Sequence, residues 1–135
     1  MIEAYSLNIT GNAGSAVPFN NVSIEKGCTA KFSSPATIQL NKCGVYAVSV
    51  DAVVTPTTAG TASIQLSKNG ILQPQAQASV TAANTTDLNS LSFSTLVQVT
   101  DNNTCSCCSA PTLLQVINGT AATFKNINIC VTKIC

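Results

Sequence analysis

The side chains best suited to chemistry in this 135-residue chain are its seven cysteines, and three of them crowd into Thr104-Cys105-Ser106-Cys107-Cys108-Ser109-Ala110. The others are Cys28, Cys43, Cys130 and Cys135. Such a cluster can be a metal site, a redox centre or a cross-link. Zinc sites favour pairs of cysteines spaced by two to four residues with a second pair elsewhere. Cys105 and Cys108 have that reach, and Cys28, Cys43 or a neighbouring subunit would have to supply the remaining ligands. A thioredoxin-type centre opens a helix in a βαβ unit, whereas this cluster falls in a loop between two strand-like segments. Disulfides remain, and an odd total leaves at least one cysteine free or paired between chains. Ser, Thr and Pro111 around the cluster argue against hydrophobic burial and for a loop staple, closed with another cysteine of the same or an adjacent subunit. Cys43 and Cys130 stand at the entry of one strand-like segment and within another, and read as small buried apolar residues.

No other constellation promises catalysis. The chain has no His, and its six cationic side chains are all Lys. Its acids, Glu3, Glu25, Asp51, Asp87 and Asp101, are too widely spaced to couple two carboxylates. A cysteine nucleophile would lack its usual base, and no glycine-rich phosphate loop occurs. No catalytic residue, no enzyme activity and no cofactor are expected. Asp101-Asn102-Asn103 offers hard oxygen ligands for Ca²⁺ but without the spacing of a preformed cage. Asp51, inside an alternating segment, faces solvent or meets Lys42 or Lys125 across a subunit boundary.

What must position these residues is a charge-poor domain. Only 8% of residues are charged, against about 25% in a typical protein, while 45% are apolar. So little charge means either a surface coat of Ser, Thr, Asn and Gln or an apolar face buried against another subunit; the residue counts suggest both, and self-association is the economical reading. A formal net charge of +1 gives no footprint for nucleic acid or an anionic membrane. No apolar run approaches the roughly 20 residues that span a bilayer. The start, Met1 to Thr10, has neither a basic region nor an apolar core of a signal peptide. The chain is therefore expected to be made in a reducing cytoplasm, where disulfides form only after release. Five Asn-x-Ser/Thr sequons, including Asn118-Gly119-Thr120, are what an Asn/Thr-rich surface produces by chance.

The periodicity is that of strands throughout. Val45 to Val54 alternates apolar with small or polar residues, as does Ala62 to Leu72, interrupted at Lys68-Asn69-Gly70, where Asn-Gly supplies the positive φ of a tight hairpin. Further strands are predicted over Ala4 to Thr10, Thr37 to Leu40, Ser90 to Thr100, Thr112 to Asn118 and Ala122 to Ile134. Thr55 to Thr61 and Thr81 to Asn89 read as loops, and no helical period with caps appears. Seven or eight strands in a single domain, residues 1–135, fit a two-sheet sandwich or jelly roll.

Three stretches, taken in order, carry a family resemblance. Ile38-Gln39-Leu40 is followed by Gly44, Tyr46, Val48, Ser49 and Val50. Next comes the hairpin Ile64-Gln65-Leu66-Ser67-Lys68-Asn69-Gly70 with Pro74 beyond it. The tail is Leu114 to Ile134. Together they resemble the TNF/C1q-like jelly rolls of bacterial and phage surfaces. These occur as phage head-fibre and decoration proteins and as C-terminal knobs of collagen-like spore-surface glycoproteins. The resemblance implies an all-β jelly roll of ten or nearly ten strands, assembled as a homotrimer, with other virion proteins such as the major capsid protein, and host-surface glycans, as partners. It also implies that a metal could sit on the trimer axis, held by one thiolate per subunit. Tyr46 and Phe124 are the candidates for the buried trimer face. No Gly-X-Y run precedes the domain, and Glu3-Ala4-Tyr5 leads straight into a strand, which favours a free-standing virion protein over a domain excised from a longer spore or cell-surface chain. A cytokine-like role would need a secretion signal. With six aromatic residues and no Trp, no glycan site is legible.

Overall fold

The computed structural model describes residues 1–27, 29–57, 60–84, 86–99 and 112–134. Strands follow one another as β1 (Ile2–Gly11), β2 (Asn21–Glu25), β3 (Ala30–Ser34), β4 (Thr37–Leu40), β5 (Gly44–Pro56), β6 (Gly60–Lys68), β7 (Ile71–Ala82), β8 (Asn89–Val99), β9 (Thr112–Asn118) and β10 (Ala122–Lys133). They form two five-stranded sheets, ordered β2-β1-β10-β5-β8 and β3-β4-β9-β6-β7. All strand pairs are antiparallel. The described residues contain no helix, and so none long and apolar enough to cross a membrane. The strands predicted from alternation form with ends displaced by one or two residues, except that Ala62 to Leu72 is divided at Asn69-Gly70 into β6 and the start of β7; β2, β3 and the rest of β7 are additional, and Thr55, Pro56, Gly60, Thr61, Thr81, Ala82 and Asn89, read as loop, lie in strands.

The core lies between the sheets and is built by alternation. Along β5 the side chains of Tyr46, Val48, Val50, Ala52 and Val54 point inward, and Ile127, Ile129 and Val131 do the same on β10. Phe124 and Ile127 are both fully buried although three residues apart, because β10 bulges against β5 between Phe124 and Asn126 and Lys125 absorbs the extra position. The buried Tyr46 hydroxyl is satisfied by donating to the Lys42 carbonyl at 2.6 Å.

Turn chemistry sets the register at one end. Asn69 and Gly70 adopt φ of 53° and 83° between the paired residues Lys68 and Ile71, the geometry of a two-residue hairpin. The same turn reaches the neighbouring strands: the Asn69 N–H donates to the Leu113 carbonyl and the Asn69 Oδ1 accepts from the Leu113 N–H, each at 2.8 Å. Lys68 Nζ donates to the Gln98 carbonyl at 2.6 Å. At the β9–β10 connection Asn118 is fully buried and donates to the carbonyls of Gly11 and Asn12, so the sequon it heads is closed to glycosylation. Gly119 follows it because a Cβ there would run into Ser63 Oγ.

Candidate functional site

The face of β5 turned away from the core carries Ala47, Ser49, Asp51 and Val53. In register beside them stand Thr132, Cys130, Asn128 and Asn126 on β10, and Leu96, Ser94, Ser92 and Ser90 on β8. Nearly all these side chains are small, so the middle of the sheet is a trough between taller neighbours. It holds two shallow depressions, one of ≈ 320 Å³ around Ala47, Ser49, Leu96 and Cys130, the other of ≈ 360 Å³ around Asp51, Ser92, Asn126 and Asn128. Leu96 on β8 is 60% exposed and Leu7 on β1 is 52% exposed, one on either side of the trough. Asp51 is exposed and stands in register between a serine and an asparagine, as a surface carboxylate rather than half of an acid pair. A nearly uncharged surface of hollows and isolated apolar knobs can exclude water against a complementary surface. Its two reactive side chains, Asp51 and Cys130, line different hollows.

Tyr46 and Phe124 are corrected by the structure. Both are 0% exposed within the single chain, turned into its own core, and have no surface to offer a neighbour. The outward set on β5 is the other phase of the same alternation. Cys43 is buried at the entry of β5, as its position suggests, but Cys130 is not: it is half-buried and lines the trough, because Ile129 and Val131 take the inward positions on either side of it. Cys28, Cys105, Cys107, Cys108 and Cys135 lie outside the described residues, and so do Asp101, Asn102 and Asn103. Among the described residues no group of three or more Cys, Asp or Glu side chains is placed to hold a metal. The trough itself escaped the sequence reading, since Ala and Ser at alternate positions mark an outer face without saying that it is hollow.

No family model matches the sequence, and no curated protein matches it either. Solved structures do. A TNF protein, Eiger from S. frugiperda, superposes with a TM-score of 0.71 at 14% identity, over 99% of this chain and 92% of its own. Murine APRIL does so with a TM-score of 0.69 at 10% identity, over 98% of both chains. This protein has the TNF-like jelly-roll fold. The PRD1 vertex protein P5 shares it, with a TM-score of 0.63 at 18% identity over 99% of this chain and 96% of its own. The TNF-like jelly roll therefore serves in proteins with very different tasks, and the likeness at these identities is one of fold.

Proposed function

We propose that this chain is a non-enzymatic structural protein of a virion surface. It acts as a homotrimeric decoration or head-fibre component of a bacteriophage, contacts the major capsid protein, and contributes to adhesion on host-surface glycans. The observation that carries this reading is the full-length likeness to a vertex protein. The trough on the outer face of β10, β5 and β8 supports the trimer, because a chain with so few charges has this broad face to bury against copies of itself. Homotrimeric association covers the hollows around Ala47 and Asp51 and leaves the other sheet, with β7 and its exposed Ile71 and Leu72, to face outward. The absence of His and Arg from the sequence supports a binding rather than a catalytic role.

Two measurements test this together. Light scattering of the purified chain is expected to return three times its 13.8 kDa mass, and mass spectrometry of purified particles is expected to find the chain among the virion proteins. A monomer at micromolar concentration rejects the trimer. Particles without the chain, with its gene flanked by collagen-like or sporulation genes rather than capsid, portal and terminase genes, reject the virion role.

A further inference from the structure

A cleft of ≈ 380 Å³ opens where the edges of the two sheets meet, between β2 and the β3–β4 turn. It is a broad hollow, open to solvent, and its lining rather than its volume sets it apart from the two depressions of the trough. Phe19, Phe32 and Pro35 give it apolar walls, and Asn20, Glu25 and Ser34 give it polar groups. Phe19, 4% exposed, backs the cleft, and the half-buried Phe32 is the ring a ligand can meet; packed against the core, it is fixed rather than free to swing. The segment bearing Phe19 is tied from both sheets. Its N–H donates to the Pro35 carbonyl at 2.8 Å. On the other side the buried Ser6 hydroxyl donates to the Pro18 carbonyl at 2.7 Å and accepts from the Asn20 N–H at 2.8 Å. A site held in this way loses little conformational entropy when it is filled.

We propose that this cleft binds a neutral saccharide, one or two pyranose rings of a surface glycan. A pyranose has an apolar C–H face that packs on an aromatic ring and a rim of hydroxyls that need acceptors as well as donors. The cleft supplies both halves: the Phe32 ring with Pro35 beside it, a carboxylate that only accepts, an amide that does both, and serine hydroxyls. Among the described residues Glu25 is the one charged side chain lining it, and no lysine does. Anionic ligands such as phosphates, sialic acids and uronic acids are therefore disfavoured, and a wholly apolar ligand would ignore the polar half. The site lies at the β2 edge of its sheet, apart from the trough on β10, β5 and β8, so it stays open when that face is covered.

The site deepens the adhesion part of the proposed role and rests on that reading only for the source of the sugar. Oligomeric mass tests the one, and sugar titration the other. The experiment is an amide-resolved NMR titration of the full chain with the methyl glycosides of glucose, galactose, mannose, N-acetylglucosamine and N-acetylgalactosamine, with methyl sialoside as the anionic comparison. Saturable shifts confined to residues 19–25 and 32–35 are expected for at least one neutral glycoside and not for the sialoside. Glu25→Ala, at an exposed position, is expected to weaken that binding about tenfold with the fold unchanged, and Phe32→Ala to abolish it. Because Phe32 packs on the core, the glutamate variant decides the matter if the phenylalanine variant fails to fold. No shift with any neutral glycoside up to their solubility overturns the proposal. So do shifts elsewhere, affinity indifferent to Glu25→Ala, or displacement only by an extended peptide pairing with the edge strands.

Discussion

Replacing Ala47 by Glu separates assembly from folding. Ala47 points out of the sandwich between Thr132 and Leu96, into the ≈ 320 Å³ hollow. In a lone chain the new carboxylate stays in water, and a surface change of this kind shifts stability by about 0.5 kcal/mol or less. In a trimer closed over that face, each copy buries a carboxylate whose neighbours are Thr132, Leu96, Ser49 and Cys130, none of them a cation. Burying an unpaired charge costs several kcal/mol; at about 3 kcal/mol per copy, three copies lose about 9 kcal/mol, or roughly six powers of ten in the association constant. Light scattering of Ala47→Glu is expected to give 13.8 kDa where the parent gives three times that mass, with far-ultraviolet circular dichroism superimposable on the parent. Ala47→Ser, which adds no charge, is expected to remain assembled. An Ala47→Glu protein that keeps the parent's mass would refute the assignment of this face.

The core makes the opposite prediction. Phe124→Ala is expected to cost about 3–5 kcal/mol in urea unfolding while the folded fraction keeps the parent's oligomeric mass; dissociation without loss of stability would return Phe124 to the interface. Gly119→Ala is expected to cost about 1–3 kcal/mol because the new methyl meets Ser63 Oγ, and combining it with Ser63→Gly should recover part of that loss; equal losses in both backgrounds would make the contact irrelevant. For the cysteine-rich stretch, non-reducing peptide mapping is expected to find at least one of Cys105, Cys107 and Cys108 in a disulfide, with reduction costing about 2–4 kcal/mol in stability. Zinc at a fixed ratio to chains, with all three thiols unoxidised, would replace the staple by a metal site.

Most of the sandwich was legible in the sequence because its long strands bury one face, and burial writes a two-residue period into β5, β6 and β10. Two short strands, one at the edge of each sheet, were not, and neither was most of β7, which buries only Ala76 and Ala82. In β2 four of five residues are exposed, and β3 buries Ala30 alone, so pairing with a neighbour rather than burial makes them strands. Period also says nothing of which phase points inward. On β5 the phase holding Tyr46 and Val48 competes with one holding Val45, Ala47 and Val53, and with little charge to mark the outside, bulky residues that seemed available to a neighbour were the chain's own core. Phe124 adds a second difficulty, since the bulge at Lys125 shifts the alternation between it and Ile127. The cleft beside Phe19 depends on residues from the approach to β2 and from the β3–β4 turn, brought together only by the closure of the sandwich, and no local pattern announces it.

The hairpin at Asn69 grips the last strand residues before one connection and the first after it: Lys68 holds the Gln98 carbonyl and Asn69 holds Leu113 from both sides. Gln98 belongs to β8 in one sheet and Leu113 to β9 in the other, so Lys68 and Asn69, neighbours at the end of a single hairpin, latch the two sheets together at this end of the sandwich. The latch is made of directed hydrogen bonds, and it fixes how the sheets are aligned at that end, which the non-directional packing of the core does not do.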